Sequence, residues 1–259
     1  MYPVLLNIGP IRVFTYGFLL ALAFLAAMYT VGQEAKRRGL DPKKFYDLSF
    51  YGIIWAIIGS RLLQVLLEWD YFIANPAEIF ALWKGGLAFQ GGLVFGLVAI
   101  IYLLYRYQLP LWATLDTMAL AVPLGQFIGR LGCFMAGCCY GKETTVPWAV
   151  TFTHPETLAR PGVPLHPTQL YESFLMLGVF LFLLRFRHRQ QFPGQILGLY
   201  LLLAGTVRFI VEFWRGDERG PILLGGMAST QVIALVLALG GLIFLLWRGR
   251  AAARMVSSP

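Results

Sequence analysis

The sequence predicts an all-α polytopic membrane protein of about seven transmembrane helices, and three observations predict it. Of its 259 residues, 58% are hydrophobic and only 13% charged, about half the roughly 25% charge of an ordinary soluble domain. Charge-free stretches run from Val13 to Gln33, Gly85 to Tyr105, Gln190 to Val207 and Gly220 to Trp247. The first two alone supply the ~20 residues that cross a bilayer. The apolar runs are also continuous, whereas a membrane strand alternates strictly over about ten residues. A helix satisfies every backbone polar group within its own segment, as lipid demands.

In chain order the helices are expected near 13–34, 48–67, 86–105, 111–131, 168–184, 194–214 and 229–247. The leading segment MYPVLLNIGPIRVFTYG has no basic n-region and no small-residue cleavage site, so it reads as retained rather than as a signal peptide. Lys36, Arg37, Arg38, Lys43 and Lys44 follow the first span, and Arg106 the third. Arg185, Arg187 and Arg189 follow the fifth, and Arg248, Arg250 and Arg254 the seventh. Every odd span thus exits on the basic side, which by the positive-inside rule puts the N-terminus outside and the C-terminus in the cytoplasm. The connection at about 132–167 is longer than the others and carries Pro147, Pro155, Pro161, Pro164 and Pro167. It is expected to form a small external cap between the fourth and fifth helices, with a short strand in TVPWAVTFTHP. The whole chain, 1–259, reads as a single transmembrane domain including that cap. Trp69, Tyr71, Trp83, Trp148 and Trp214 fall near the expected interfaces and suit an aromatic belt.

A net charge of +8 would suggest nucleic acid in a soluble chain. Here the basic residues cluster just beyond apolar runs and no basic stripe with interleaved aromatics stands apart from them, so no nucleic-acid partner is expected. Cys133, Cys138 and Cys139 are too few for a disulfide scaffold and have neither C-x-x-C nor zinc-finger spacing. They read as small buried hydrophobes, with no metal site and no cofactor expected.

Charge inside a span costs about 2.5 to 3.5 kcal/mol on insertion scales, so each instance needs a partner or a purpose. Arg61 and Asp116 suit structural pairing. Arg130 sits in GRLG at the outer end of the fourth span, where a planar guanidinium matches a phosphate bidentately. Arg208, Glu212 and Arg215 are spaced by four and three, which places them on one helical face able to hold an anion or an internal ion pair. Gln90, Gly91 and Gly92 mark the mouth of the third span. Glycine there allows close approach of a ligand or of another helix, and Gly92 with Gly96 fits small-xxx-small packing. His166, Gln169, Tyr171 and Glu172 crowd into HPTQLYE, where Thr168 is a candidate N-cap.

Four separated segments, YGFLL from Tyr16, GRLGCFMAGCCYG from Gly129, HPTQLYE from His166 and RFIVEFWR from Arg208, resemble the prolipoprotein diacylglyceryl transferases. With AFQGGLVFG the resemblance covers nearly the whole chain in order. It implies an enzyme of the bacterial cytoplasmic (inner) membrane, active toward the outer leaflet. That enzyme moves the diacylglyceryl group of phosphatidylglycerol to the lipobox cysteine of a preprolipoprotein signal peptide and releases glycerol phosphate. It also implies that Arg130 binds the lipid headgroup, that Arg208 is essential with Glu212 as the matching acid, and that Tyr16 belongs to the lipid site. Gln90, Gly91, Gly92, His166, Gln169, Tyr171, Glu172 and Arg215 complete the expected substrate-binding set.

The sequence departs from that family pattern at the reacting centre. Gln90 replaces the histidine before Gly-Gly, Cys133 the asparagine of GRxGN, Cys138 the glutamate five residues on, and Ala204 the tyrosine four before the RF arginine. Glutamine cannot act as a general base, which leaves Glu212, His166 or substrate-assisted deprotonation. Two competing readings are a membrane thiol oxidoreductase using the cysteines and a non-catalytic phospholipid binder or transporter.

Overall fold

The computed structural model describes residues 2–8, 11–81, 86–217 and 227–257. Helices dominate: α1 (Thr15–Arg37), α2 (Pro42–Leu67), α3 (Trp69–Ala74), α4 (Phe89–Arg106), α5 (Leu111–Ala136), α6 (Thr168–Phe186), α7 (Gln195–Glu212) and α8 (Ser229–Ser257). A helix stands at each of the seven expected places. Among the described residues six are long and apolar enough to cross a membrane, and α4 is apolar but shorter. The all-α expectation needs correction at two points. An antiparallel pair, β1 (Val4–Ile8) with β2 (Ile11–Phe14), precedes α1, and a second, β3 (Val150–Thr151) with β4 (Pro164–Leu165), lies in the cap segment. In the second pair β3 falls in the stretch read as a strand, and its partner β4 lies beyond that stretch, with Val150 opposite Leu165. The first was hidden because its apolar residues run on into the first span.

The chain divides into two compact units, Val31–Thr114 and Met1–Thr30 with Leu115–Pro259. In the Val31–Thr114 unit, α2 starts at Asp41, whose carboxylate accepts from the Lys43 N–H at 3.0 Å, with Pro42 in the first turn. Both features suit a helix start. α2 and α4 meet through small residues. A Cβ on Gly91 would stand 2.6 Å from the Leu63 side chain, and one on Gly92 would stand 2.9 Å from the Ala56 carbonyl. The two backbones therefore approach as only glycine allows. Beside them α2 and α4 leave an apolar cavity of about 440 Å³ lined by Tyr51, Trp55, Phe95, Val98, Ala99, Tyr102 and Leu103.

Arg61 is structural in this unit. Its guanidinium donates to the carbonyls of Ile79 (3.0 Å), Gly86 (2.8 Å) and Glu78, and lies 5.0 Å over the Phe72 ring. It closes the turn Pro76–Phe80 that follows α3. Glu34, fully buried, is held by Arg37 and Arg38 at 2.6 and 2.7 Å.

In the other unit, Ala119, Leu120, Val179, Leu183 and Ile196 form a core shared by α5, α6 and α7. Asp116 is the cap of α7. Its carboxylate accepts from the Gly194 N–H at 2.7 Å and the Leu197 N–H at 2.9 Å, which are N–H groups a helix start leaves without partners. The structural reading of both charges therefore holds. α7 and α8 pack backbone to backbone, since a Cβ on Gly205 would stand 2.7 Å from the Ala234 carbonyl.

Candidate anion-binding site

Three helix ends of this unit carry the site. Arg130 stands two turns before the end of α5, Glu172 in the opening turns of α6, and Arg208 with Glu212 in the last turns of α7. Arg130 Nη2 donates to Glu172 Oε1 at 2.7 Å, and Arg208 Nη1 donates to Glu172 Oε2 at 3.0 Å. The other terminal nitrogen of Arg208 lies 2.9 Å from Glu212 Oε2. Thr230, at the start of α8, donates to Glu212 Oε1 at 2.5 Å. One carboxylate thus bridges two guanidiniums that are far apart in sequence. The carboxylates are shut in, with 5% and 4% side-chain exposure at Glu172 and Glu212, while Arg130 and Arg208 keep 21% and 20%. The open face of the cluster is cationic.

The remaining expected residues fall into three groups. His166 and Tyr171 are joined, Nδ1 to hydroxyl at 3.1 Å, and Trp148 Nε1 donates to the same hydroxyl at 2.6 Å. The Tyr171 hydroxyl thus accepts from Trp148 and shares a second hydrogen bond with the His166 ring. Burial pushes the His166 imidazole below its ordinary range. Gln169 is fully buried, and its Nε2 donates to the Cys138 carbonyl at 2.7 Å. Tyr16, 40% exposed in the first turns of α1, sits against Gly132, where a Cβ would stand 3.3 Å from its ring. Gln90, Gly91 and Gly92 belong to the other unit, with Gln90 exposed and the two glycines against α2.

Two sequence expectations change. The helix α7 ends at Glu212, so Arg215 is not on its face. Arg215 instead pairs across an isolated bridge with Gly141 and holds Asp217 by two bonds of 3.0 and 2.9 Å. Burial raises the Asp217 carboxyl above the usual range against the opposing pull of Arg215. Trp83, expected at an interface, lies outside the described residues. Thr168 is not the N-cap of α6, because Pro167 occupies that position and the Thr168 hydroxyl donates to the Cys139 carbonyl at 2.9 Å. The sequence reading missed Thr230 and gave Trp148 only an interfacial place. Neither carried a local signal, since a threonine in an apolar helix and a tryptophan in a loop are both common.

Backbone ties set this geometry. Gly141 donates to the His166 carbonyl at 3.0 Å, His166 donates back to Lys142 at 3.0 Å, and Lys142 donates to Trp214 at 2.8 Å. The segment after α5 therefore runs between the segment before α6 and the segment after α7. A Cβ on Gly141 would stand 2.5 Å from the His166 side chain and 2.7 Å from the Trp214 carbonyl. Glycine is required there because two chains close on it.

Comparison with known proteins accords with this constellation. The family model for prolipoprotein diacylglyceryl transferase matches residues 3–247. Similar relatives, each named a phosphatidylglycerol-prolipoprotein diacylglyceryl transferase, come from several bacteria. The one from Clostridium tetani is 34% identical over 91% of this chain and 93% of its own length. That from Bordetella parapertussis is 34% identical over 97% of both, and that from Aliivibrio fischeri 36% identical over 95% of this chain and 88% of its own length. The chain belongs to the prolipoprotein diacylglyceryl transferase family.

Proposed function

We propose that this protein transfers the diacylglyceryl group of phosphatidylglycerol to the lipobox cysteine of a preprolipoprotein signal peptide, releasing glycerol phosphate. The observation that carries the proposal is the convergence of Arg130 and Arg208 on one buried carboxylate, with about a fifth of each guanidinium open. In the reaction a sulfur-carbon bond forms at the glycerol carbon while the carbon-oxygen bond to phosphate breaks. Negative charge grows on the departing phosphate oxygen, and the thiol gives up its proton. Cations held in place before the reaction favour that transition state over bound lipid, and losing one such donor costs about 2.7–4 kcal/mol, or 10²–10³ in rate. Arg130 commits one terminal nitrogen to Glu172, which leaves the rest of its fork for phosphate oxygens.

In this reading Arg130, Arg208 and Glu212 are the catalytic group. Tyr16, His166, Tyr171, Glu172 and Arg215 line or brace the substrate site, and Gln169 acts through the loop it holds. The enzyme lies in the bacterial inner membrane as one transmembrane domain of seven spans, N-terminus out and C-terminus in, with residues 132–167 as the outer cap. The site faces the outer leaflet. No metal or cofactor takes part. The proton acceptor is Glu212, His166 or the substrate itself, since Gln90 offers no basic group.

The test is incubation of the purified protein with labelled phosphatidylglycerol and a lipobox peptide. The expected products are lipidated peptide and glycerol phosphate in equal amounts. Release of glycerol phosphate without peptide lipidation would refute the acceptor. Arg208→Lys tests the cation. A single ammonium cannot bridge Glu172 and Glu212 as the fork does, and kcat/KM is expected to fall by about 10²–10³.

A further inference from the structure

The segment GCFMAGCCYG brings its three thiols together. The sulfurs of Cys133, Cys138 and Cys139 all lie within 4.8 Å of one another, each residue half-buried and none in a disulfide. Their spacing along the chain matches no familiar metal motif; the turn after α5 creates the cluster. Gly137 takes φ +74° and Cys139 φ +62°, left-handed conformations that reverse the chain. They fold residues 138 and 139 back over Cys133, one turn earlier on the helix. A cysteine rarely adopts that region, so the surroundings hold it there. Gln169 and Thr168 bond the carbonyls of Cys138 and Cys139 at 2.7 and 2.9 Å.

We propose that Cys133, Cys138 and Cys139 form a three-thiolate site for a soft d¹⁰ metal ion, copper(I) in preference to zinc. A trigonal site with metal–sulfur bonds of about 2.3 Å needs sulfurs about 4.0 Å apart. All three sulfur pairs lie within 4.8 Å, at most about 0.8 Å wider than that spacing. Thiolate donors select copper(I) and zinc over harder ions. Structural zinc takes four protein ligands, and among the described residues no fourth histidine, cysteine or carboxylate joins the group. That favours an ion content with three.

Charge supports the same reading. Three thiolates and one monovalent ion leave two negative charges, and two cations stand close in the fold: Arg130 lies three residues before Cys133 on α5, and the Arg215 backbone bridges to Gly141, two residues after Cys139. Arg215 has 5% exposure, and its Nη1 is buried without a hydrogen-bond partner. A donor so placed is satisfied by an anionic sulfur nearby. The thiols neighbour Arg130 on α5 but take no part in its pairing with Glu172, and the existence of the metal site does not depend on the transfer reaction.

The experiment uses the full chain, purified in detergent under anaerobic reducing conditions. Copper(I) is presented from a chromophoric chelator, and the bound metal is examined by X-ray absorption. One ion per chain, with an all-sulfur shell of three ligands, is expected. Cys133→Ser should weaken binding by more than the roughly 10–100-fold typical of an outer-shell change. No uptake, or a shell containing nitrogen or oxygen, would overturn the proposal on the native protein alone. Undiminished uptake by the Cys133→Ser variant would do so as well. Zinc bound more tightly than copper(I) would overturn the stated preference.

Discussion

Replacing Glu172 by glutamine removes the one charge that Arg130 and Arg208 share while keeping nearly the same shape. Of the two charge-assisted hydrogen bonds, at 2.7 and 3.0 Å, one becomes a neutral-acceptor bond and the other is lost, because the amide has a single oxygen and its NH2 only donates. A bond to a charged group contributes about 1.5–3 kcal/mol and a neutral one about 0.5–1.5, so the loss is roughly 1–1.5 for the weakened bond, 1.5–3 for the lost one and about 2.5–4.5 kcal/mol for the two. The 3–5 kcal/mol of a fully broken buried pair is an upper bound here. Arg208 retains Glu212 at 2.9 Å, and about a fifth of each guanidinium is open. The expected change is about 70–2,000-fold in the folding equilibrium. Thermal or denaturant unfolding in one detergent or bilayer system measures it. A double-mutant cycle with Arg130→Met isolates the pair, with a coupling of about 0.5–3 kcal/mol expected for residues in contact. Unchanged stability in Glu172→Gln, or zero coupling, would show that the bridge does not hold the two cations in place.

Other outcomes follow from the same geometry. Burial lowers the His166 imidazole below its ordinary 6.5, so the unfolded chain binds more protons and stability rises with pH. Its contribution is complete above about pH 6.5 and is lost as pH falls through the folded value. Unfolding midpoints below pH 6.5 should drop in the wild type and drop less in His166→Gln; equal slopes would remove the assignment. Asp116→Ala strips two N–H partners from the start of α7 and should cost about 1–2 kcal/mol, read as a lower unfolding midpoint. Gly141→Ala puts a methyl 2.5 Å from the His166 side chain. It should destabilise by about 1–3 kcal/mol and lower transferase turnover through the displaced loop, measured as lipidated peptide formed per minute.

Much of this molecule is legible in one dimension. Long apolar runs with few charges specify membrane helices, because lipid leaves the backbone no partner outside its own segment. All seven expected helix positions are occupied. Arg208 and Glu212 are a pair because four residues make about one turn of helix. Other features required the fold. That α7 stops at Glu212, leaving Arg215 to bond Asp217, depends on a bridge to Gly141 across a long sequence separation. That Glu172 belongs to both Arg130 and Arg208 depends on three helices ending side by side. The three cysteines meet because two left-handed residues turn the chain back.

By itself the sequence determined what local rules reach: which segments are helical and apolar, which charges are too costly to stand alone in lipid, and which motifs resemble a family. Tertiary structure decided which of those charges share a partner, which glycines admit a second backbone, and which thiols come together. The physical reason is range. Hydrophobicity and helix periodicity act over a few residues of chain, whereas hydrogen bonds and ion pairs act over about three ångströms of space, and only folding converts the first into the second.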